Sequence, residues 1–94
     1  MPITSIKHKG LKRLFEKDDA SKLPAELVEK IRDILHVLDT AETVEEMNVF
    51  PGWRLHKLKG DLKGMWAIAV TGNWRIVFDF EDGDAGKVDF IDYH

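Results

Sequence analysis

The sequence predicts a single α+β domain in which helices come first and an antiparallel sheet follows. Apolar residues recur with the period of a helix up to about residue 40, and the period changes to two after Gly52. The chain has 94 residues, enough for one domain, residues 1–94, with a thin core. We therefore expect an amino-terminal strand and two to three helices packed on a mainly antiparallel sheet of about four to five strands.

The amino-terminal half is predicted to be mostly helical. We expect a short first strand over residues 3–8 and a helix over residues 9–17. A longer helix begins near Pro24 and runs to about residue 40. Thr43, followed by Glu46 three residues later, fits a capping box, which predicts a short third helix to about residue 48. The apolar stripe of the long helix consists of Leu27, Val28, Ile31, Ile34, Leu35 and Leu38.

The carboxy-terminal half alternates apolar and polar residues as strands do. Gly72-Asn73 is a two-residue hairpin signal, and residues 81–86 read as a second turn. The predicted strands are 53–59, 65–70, 74–80 and 88–91. The third of these carries Trp74, Ile76, Phe78 and Phe80 on one face. Arg75 must therefore point away from the helices.

Composition excludes several classes of protein. The chain contains no Cys, so disulfides and thiolate metal sites are absent, and four scattered His argue against zinc. No apolar run approaches 18 residues and no signal peptide precedes the domain, which predicts a cytoplasmic protein that does not enter membranes.

The charge is unevenly distributed along the chain. The net charge of −3 argues weakly against nucleic-acid binding. Residues 1–17 and 51–75, however, each carry five bases and one acid, whereas 18–50 and 76–94 are acidic. Two basic blocks favour a surface for a polyanion, and the alternative is that they are ordinary solvated faces.

Arg75 and His56 are the first candidates for chemistry. A guanidinium on an open sheet face can form a fork onto a phosphate, and the alternative for Arg75 is an ion pair with Asp79. His56 lies between Arg54 and Lys57, and nearby cations lower the pKa of an imidazole, which favours the neutral, proton-accepting form. The alternative is an exposed His without a role.

Further candidates lie in the following loop and at the carboxy terminus. Lys57, Lys59 and Lys63 could hold a nucleic-acid backbone, or could simply keep a turn soluble. Asp92-Tyr93-His94 supplies a carboxylate, a phenol and an imidazole directly after a strand, although termini often fray. Tyr93 is the better base-stacking residue, because the three Trp read as core or rim.

Together these segments resemble a known family, the HigB group of the RelE/ParE superfamily of bacterial type II toxins. The resemblance covers nearly the whole chain, and the combination of segments is more specific than any one of them. The matching segments are residues 6–17 (IKHKGLKRLFEK), Leu55-His56, residues 58–61 (LKGD), Gly64, Trp66, residues 73–76 (NWRI) and residues 92–94 (DYH).

The resemblance implies a ribosome-dependent endoribonuclease that cuts messenger RNA in the A site of the 70S ribosome. It implies a helix-turn-helix antitoxin of the HigA type as partner, with operator DNA bound only through that antitoxin. The ribose 2′-hydroxyl would attack its own 3′-phosphate without a metal or other cofactor. The implied catalytic residues are His56, Lys59, Arg75, Asp92, Tyr93 and His94. The implied RNA-binding residues are Arg54, Lys57, Lys63, Lys9, Lys12 and Arg13.

The chain departs from this family in its overall charge. Members are commonly basic and this chain is slightly acidic, so we expect weaker, salt-sensitive ribosome binding. The acidic segment 18–50 is a candidate surface for the antitoxin.

Two other functions remain open at this point. A ParE-like toxin has the same fold but poisons DNA gyrase without cutting RNA, and such a binder has no need of His56, Arg75 and the DYH end. A DNA-regulatory or scaffold protein is disfavoured because the sequence contains no recognisable helix-turn-helix.

Overall fold

The computed structural model describes residues 1–92, with the side chain of Val49 left out. Helix α1 spans Lys9–Lys17 and is capped by His8, whose imidazole accepts a hydrogen bond from the Leu11 N–H. Helix α2 spans Val28–Thr40 and is preceded by a 3₁₀ turn, Ala25–Leu27. The expected third helix is a 3₁₀ helix, Val44–Val49. The Glu46 carboxylate accepts bonds from the Glu42 and Thr43 N–H groups at its start.

Within the described residues, four strands form one antiparallel meander. They are β1 (His56–Lys57), β2 (Trp66–Ala69), β3 (Trp74–Glu81) and β4 (Asp84–Asp92), in the order β1-β2-β3-β4. The expected strand 53–59 is thus reduced to two residues. Arg54 has a φ of 49°, in the left-handed region that breaks an extended strand.

The last strand and the amino-terminal strand also differ from expectation. Asp82 and Gly83 both have positive φ, 52° and 82°, so they form a tight two-residue turn. Strand β4 can therefore pair from Asp84 onward instead of starting at residue 88. Residues 3–8 are not a strand. They form two isolated parallel bridges to β4, Ile3 to Ala85 and Ile6 to Val88, whose spacing of three residues does not continue as a regular ladder.

The main core lies between the helices and one face of the sheet, here called the inner face. Ile31, Ile34 and Leu38 of α2 are fully buried against it, as are Ile76 and Phe78 of β3. The three Trp belong to this core or its rim, as expected, with Trp53 buried and Trp66 and Trp74 half-buried. Phe80 was expected on this face, and it pairs with Ala85 of this core, but 40% of it is exposed near the end of β3.

On the opposite face of the sheet, here called the outer face, no residue of α1 or α2 packs into the apolar cluster that residues 1–92 form there. A small apolar cluster of Leu58, Ala67 and Val77 forms its floor, with Met65 and Ile91 packed against them. No helix in residues 1–92 is long and apolar enough to cross a membrane.

Candidate active site

His56 and Arg75 lie on the same outer face of the sheet. His56 pairs with Ala67, and Ala67 pairs with Val77, while Arg75 lies two residues before Val77 on β3. Two strand spacings and two residues along the strand separate the Cα atoms of His56 and Arg75 by roughly 12 Å. The apolar floor lies between them. A substrate lying across this face could contact both side chains.

The imidazole of His56 is oriented by its own backbone. Its Nδ1 lies 2.8 Å from the carbonyl oxygen of Arg54. A carbonyl only accepts hydrogen bonds, so Nδ1 must carry the proton. In the neutral ring Nε2 is then the unprotonated nitrogen. His56 is half-buried, and its Nε2 can accept a proton from a ligand on the outer face.

The guanidinium of Arg75 is directed towards the turn between β2 and β3. Its Nη1 donates to the carbonyl oxygens of Thr71 and Trp74. Asp79, the alternative partner considered for Arg75, is 3.8 Å from the ammonium of Lys87. Arg75 is half-buried, and a side chain fixed by two carbonyls has little rotamer freedom left to lose when it binds an anion.

Asp92 ends β4 beside Arg75. Asp92 pairs with Trp74, and Ile91 pairs with Arg75, so the Cα atoms of Asp92 and Arg75 are diagonal neighbours roughly 6 Å apart. Because side chains alternate along a strand, those of Asp92 and Arg75 leave the backbone on opposite faces of the sheet. Both residues lie at the end of the sheet where β3 begins and β4 ends. His56 is three strands away from Asp92. Tyr93 and His94, two further predicted catalytic residues, lie outside the described residues.

Of the three candidate lysines, Lys57 lies in β1, and Lys59 and Lys63 lie in the loop that follows it. Lys59 and Lys63 are exposed on either side of a 3₁₀ turn, Gly60–Leu62. Lys57 alternates with His56, and its ammonium lies 5.4 Å from the centroid of the Trp66 ring, a cation–π contact on the inner-face side. Lys57 therefore does not share the outer face with His56, and Arg54, with its left-handed backbone, lies just before the regular strand.

The basic residues of α1 lie elsewhere. Lys9, Lys12 and Arg13 are exposed and border one groove, and Arg13 is 3.2 Å from Asp19. The segment before α1 bridges to the free edge of β4, whereas His56 is on β1 at the other edge. The amino-terminal basic block is thus separate from the His56–Arg75 face.

A cavity with three cationic side chains adjoins Arg75. It has a volume of about 240 Å³ and lies between α2 and the β2–β3 turn. Lys30, Arg54 and Arg75 line it, and none of its lining residues within 1–92 carries a carboxylate. The sequence analysis did not single out Lys30, which lies in the acidic segment 18–50. Lys30 comes three residues after Leu27 and four before Ile34, which puts it on the apolar side of α2. This spacing is the sequence signal that could have identified it as a candidate.

No arrangement of three or more His, Asp or Glu side chains in residues 1–92 could hold a metal ion. The groups on the outer face are instead an imidazole and a guanidinium, which can exchange a proton and bind an anion. The roles assigned to individual residues stay predictions.

Comparison with known proteins gives the family. Residues 4–94 match the model of the RelE-like toxin of type II toxin-antitoxin system HigB. The chain is 50% identical to the endoribonuclease HigB of Proteus vulgaris over 92 residues, covering 98% of this chain and 99% of that protein. It is 32% identical to the toxin HigB-1 of Vibrio cholerae over 90 residues, covering 95% of this chain and 94% of that protein.

A solved structure supports the same fold. A chain of the heterotetrameric YoeB-YefM toxin-antitoxin complex from Staphylococcus aureus superposes with a TM-score of 0.59 at 18% identity, covering 100% of this chain and 97% of that one. The α+β fold with two helices on a four-stranded antiparallel sheet is thus that of the RelE/ParE-like toxins. The chain belongs to the HigB-like family of RelE-like toxins of type II toxin–antitoxin systems.

Proposed function

We propose that this chain is an endoribonuclease that cleaves messenger RNA during translation and arrests growth when its antitoxin is absent. The class of enzyme, endoribonuclease, rests on 50% identity to a HigB of that activity over nearly the whole chain. The observation that carries the mechanism is the shared outer face of His56 and Arg75, with the tautomer of His56 fixed by the Arg54 carbonyl.

The chemistry needs one proton acceptor and one proton donor. The ribose 2′-oxygen forms a bond to phosphorus, the bond from phosphorus to the 5′-oxygen breaks, and a 2′,3′-cyclic phosphate and a 5′-hydroxyl result. Nε2 of His56 takes the 2′-proton in this scheme. His94 would protonate the departing 5′-oxygen, with Asp92 orienting that imidazole or acting as base itself. General acid–base help of this kind contributes roughly 10²–10⁴ in rate.

Electrostatic stabilisation is assigned to Arg75 and Lys59. Charge accumulates on the non-bridging oxygens as the phosphorane forms, and Arg75 is held by two carbonyls beside the outer face. Loss of one such contact typically costs on the order of 10²–10³ in rate. Tyr93 would stack on a base, and Lys63 would hold the backbone. No metal or other cofactor takes part in this scheme.

The partners follow from the family. A toxin of a type II system is expected to bind an antitoxin, as the structure of the YoeB-YefM complex illustrates for a relative. We propose an antitoxin of the HigA helix-turn-helix type, with operator DNA bound through it, and the acidic segment 18–50 as its docking surface. The substrate complex is the 70S ribosome with its message, so the site of action would be the cytoplasm. Lys9, Lys12 and Arg13 would contact ribosomal RNA.

The test is to induce the chain without antitoxin and map the 5′ ends of cellular messages. Cuts within translated codons, with 5′-hydroxyl and cyclic phosphate ends, are expected from the wild-type chain. They should be absent with Arg75→Ala and unchanged with Lys22→Gln, an exposed loop lysine far along the chain from the site. Intact messages with stalled replication would instead support a ParE-like gyrase poison, and cuts with 5′-phosphate ends would refute the 2′-hydroxyl mechanism.

A further inference from the structure

The proposed cleavage chemistry assigns no role to the cavity beside Arg75. Within the described chain, the proposed acid–base groups His56 and Asp92 do not line it. Its lining consists of Lys30, Arg54 and Arg75 together with Gly52, residues 69–71 and Gly72. A phosphate bound there would be held by cations, and no imidazole or carboxylate of the described lining would lie next to it.

Lys30 lines this cavity, and no lining residue in the described part of the chain carries a carboxylate. Glu26 and Asp33 lie four residues before it and three after it, positions from which a helical lysine can be paired. No salt bridge within 4.0 Å joins Lys30 to either of them among residues 1–92. Lys30 is also half-buried, which is unusual for a lysine without such a partner.

Arg54 connects the cavity to the outer face. Its φ of 49° is uncommon for a residue with a side chain and costs on the order of 1 kcal/mol. The carbonyl oxygen of the same residue accepts a hydrogen bond from Nδ1 of His56, and Arg54 also lines the cavity. A ligand that fixes the Arg54 side chain therefore also supports the segment that orients His56.

The size of the cavity suits a phosphodiester group. A volume of about 240 Å³ corresponds to roughly eight water molecules. Cations with an open space and no carboxylate between them favour an anion with several acceptor oxygens. A single-stranded RNA crossing the outer face presents such groups at every nucleotide.

We propose that the Lys30–Arg54 cavity binds a backbone phosphate of the substrate RNA next to the one that is cleaved. The proposal rests on the endoribonuclease function and adds a subsite to it. Lys30 and Arg54 are substrate-binding residues in this assignment, and Arg75 stands between the subsite and the reacting phosphate. The subsite would fix the register of the strand on the outer face.

The probe is a short 2′-O-methyl oligoribonucleotide, which lacks the attacking hydroxyl and can be titrated without cleavage. Lys30→Gln and Arg54→Gln should each weaken binding about tenfold. Each should also reduce the slope of log affinity against log salt by about 0.7, the value for one phosphate contact on a single strand. Lys22→Gln is the matched control, and it should bind as the wild type does. Thermal unfolding checks that all variants fold.

Cleavage of translated message separates binding from chemistry. The two cavity variants should raise KM about tenfold and leave kcat within about twofold, whereas Arg75→Ala should lower kcat. Equal oligonucleotide affinity and salt slope in wild type and both variants would overturn the subsite while leaving the nuclease assignment intact. A wild-type chain that does not bind the oligonucleotide would overturn it as well. Loss of antitoxin binding with unchanged oligonucleotide binding would assign the cavity to the protein partner instead.

Discussion

Replacing His56 by asparagine and, separately, by glutamine removes proton transfer while keeping most of the polar geometry. The amide nitrogen of asparagine stands close to the position of Nδ1 and can donate to the Arg54 carbonyl, a bond of 2.8 Å in the wild type. The amide of glutamine reaches the position of Nε2 and can hydrogen-bond a substrate there. Neither amide exchanges a proton at neutral pH.

The expected loss of activity is large and the expected loss of stability is small. Removing a general acid or base lowers kcat by roughly 10²–10⁴, which is about 2.7–5.4 kcal/mol in the activation barrier. The hydrogen bond to Arg54 contributes only about 1 kcal/mol to folding, and asparagine keeps it. Both variants should therefore unfold close to the wild-type denaturant midpoint and be nearly inactive.

The assay is cleavage of a translated message in a reconstituted translation reaction, quantified from the mapped 5′ ends, beside urea unfolding of the same preparations. If the glutamine variant cleaves within about threefold of the wild type, Nε2 only positions the substrate and His56 transfers no proton. If activity falls only in proportion to the folded fraction, the outer face is not the catalytic surface.

Three further predictions test the fold that carries the site. Phe78→Ala removes a ring with no exposed surface and should lower the free energy of unfolding by about 3–5 kcal/mol. Phe80→Ala removes a ring that is 40% exposed and should change the free energy of unfolding little. Equal urea midpoints for these two variants would contradict the assigned inner face. Gly86→Ala would place a Cβ 2.7 Å from the Asp79 carboxylate and should destabilise by about 1–3 kcal/mol, and the double variant with Asp79→Ala should recover most of this in a mutant cycle. Backbone N–H groups of Thr43 and Glu42 lower the pKa of Glu46 from its ordinary value of 4.5. At pH values above 4.5, the Glu46→Gln variant should therefore have a lower free energy of unfolding than the wild type. This difference should fade as the pH falls through the lowered pKa of Glu46, and urea unfolding at several pH values measures it.

The long-range organisation of this chain could be predicted from apolar periodicity alone. The stripe of α2 and the alternation in β2 and β3 each identify their buried face, because a residue's burial follows directly from helix or strand geometry. The outward position of Arg75 is a consequence of this alternation, with Ile76 and Phe78 buried on the inner face. These inferences needed no knowledge of the partner element.

The errors lie where the backbone departs from regular geometry. Asp82-Gly83 is a two-residue turn signal, yet the many polar residues of 81–86 suggested a longer loop and a later strand. Nothing in the side-chain pattern of 53–59 indicated that Arg54 would be left-handed and shorten the strand. Lys30 was missed for a different reason, since the cavity it lines is made by three separate segments whose meeting depends on tertiary packing.

The core and the candidate site depend on the same strand register. His56, Ala67 and Val77 align across three strands. Arg75 lies two residues before Val77 on β3 and therefore on the same face. A slip of one residue between β2 and β3 would turn Arg75 to the inner face and expose Ile76, so burial of the inner face keeps the guanidinium outside. The register irregularity between β3 and β4 comes after Val77, with the extra residue on β4, and therefore leaves the pairing of Arg75 unaffected. The apolar floor between His56 and Arg75 also keeps water from one side of a bound phosphate. At an effective dielectric constant of 20, a charge pair at 4 Å interacts about four times more strongly than in water. The hydrophobic pattern of the sheet thus positions the charges and also strengthens their effect on an anion.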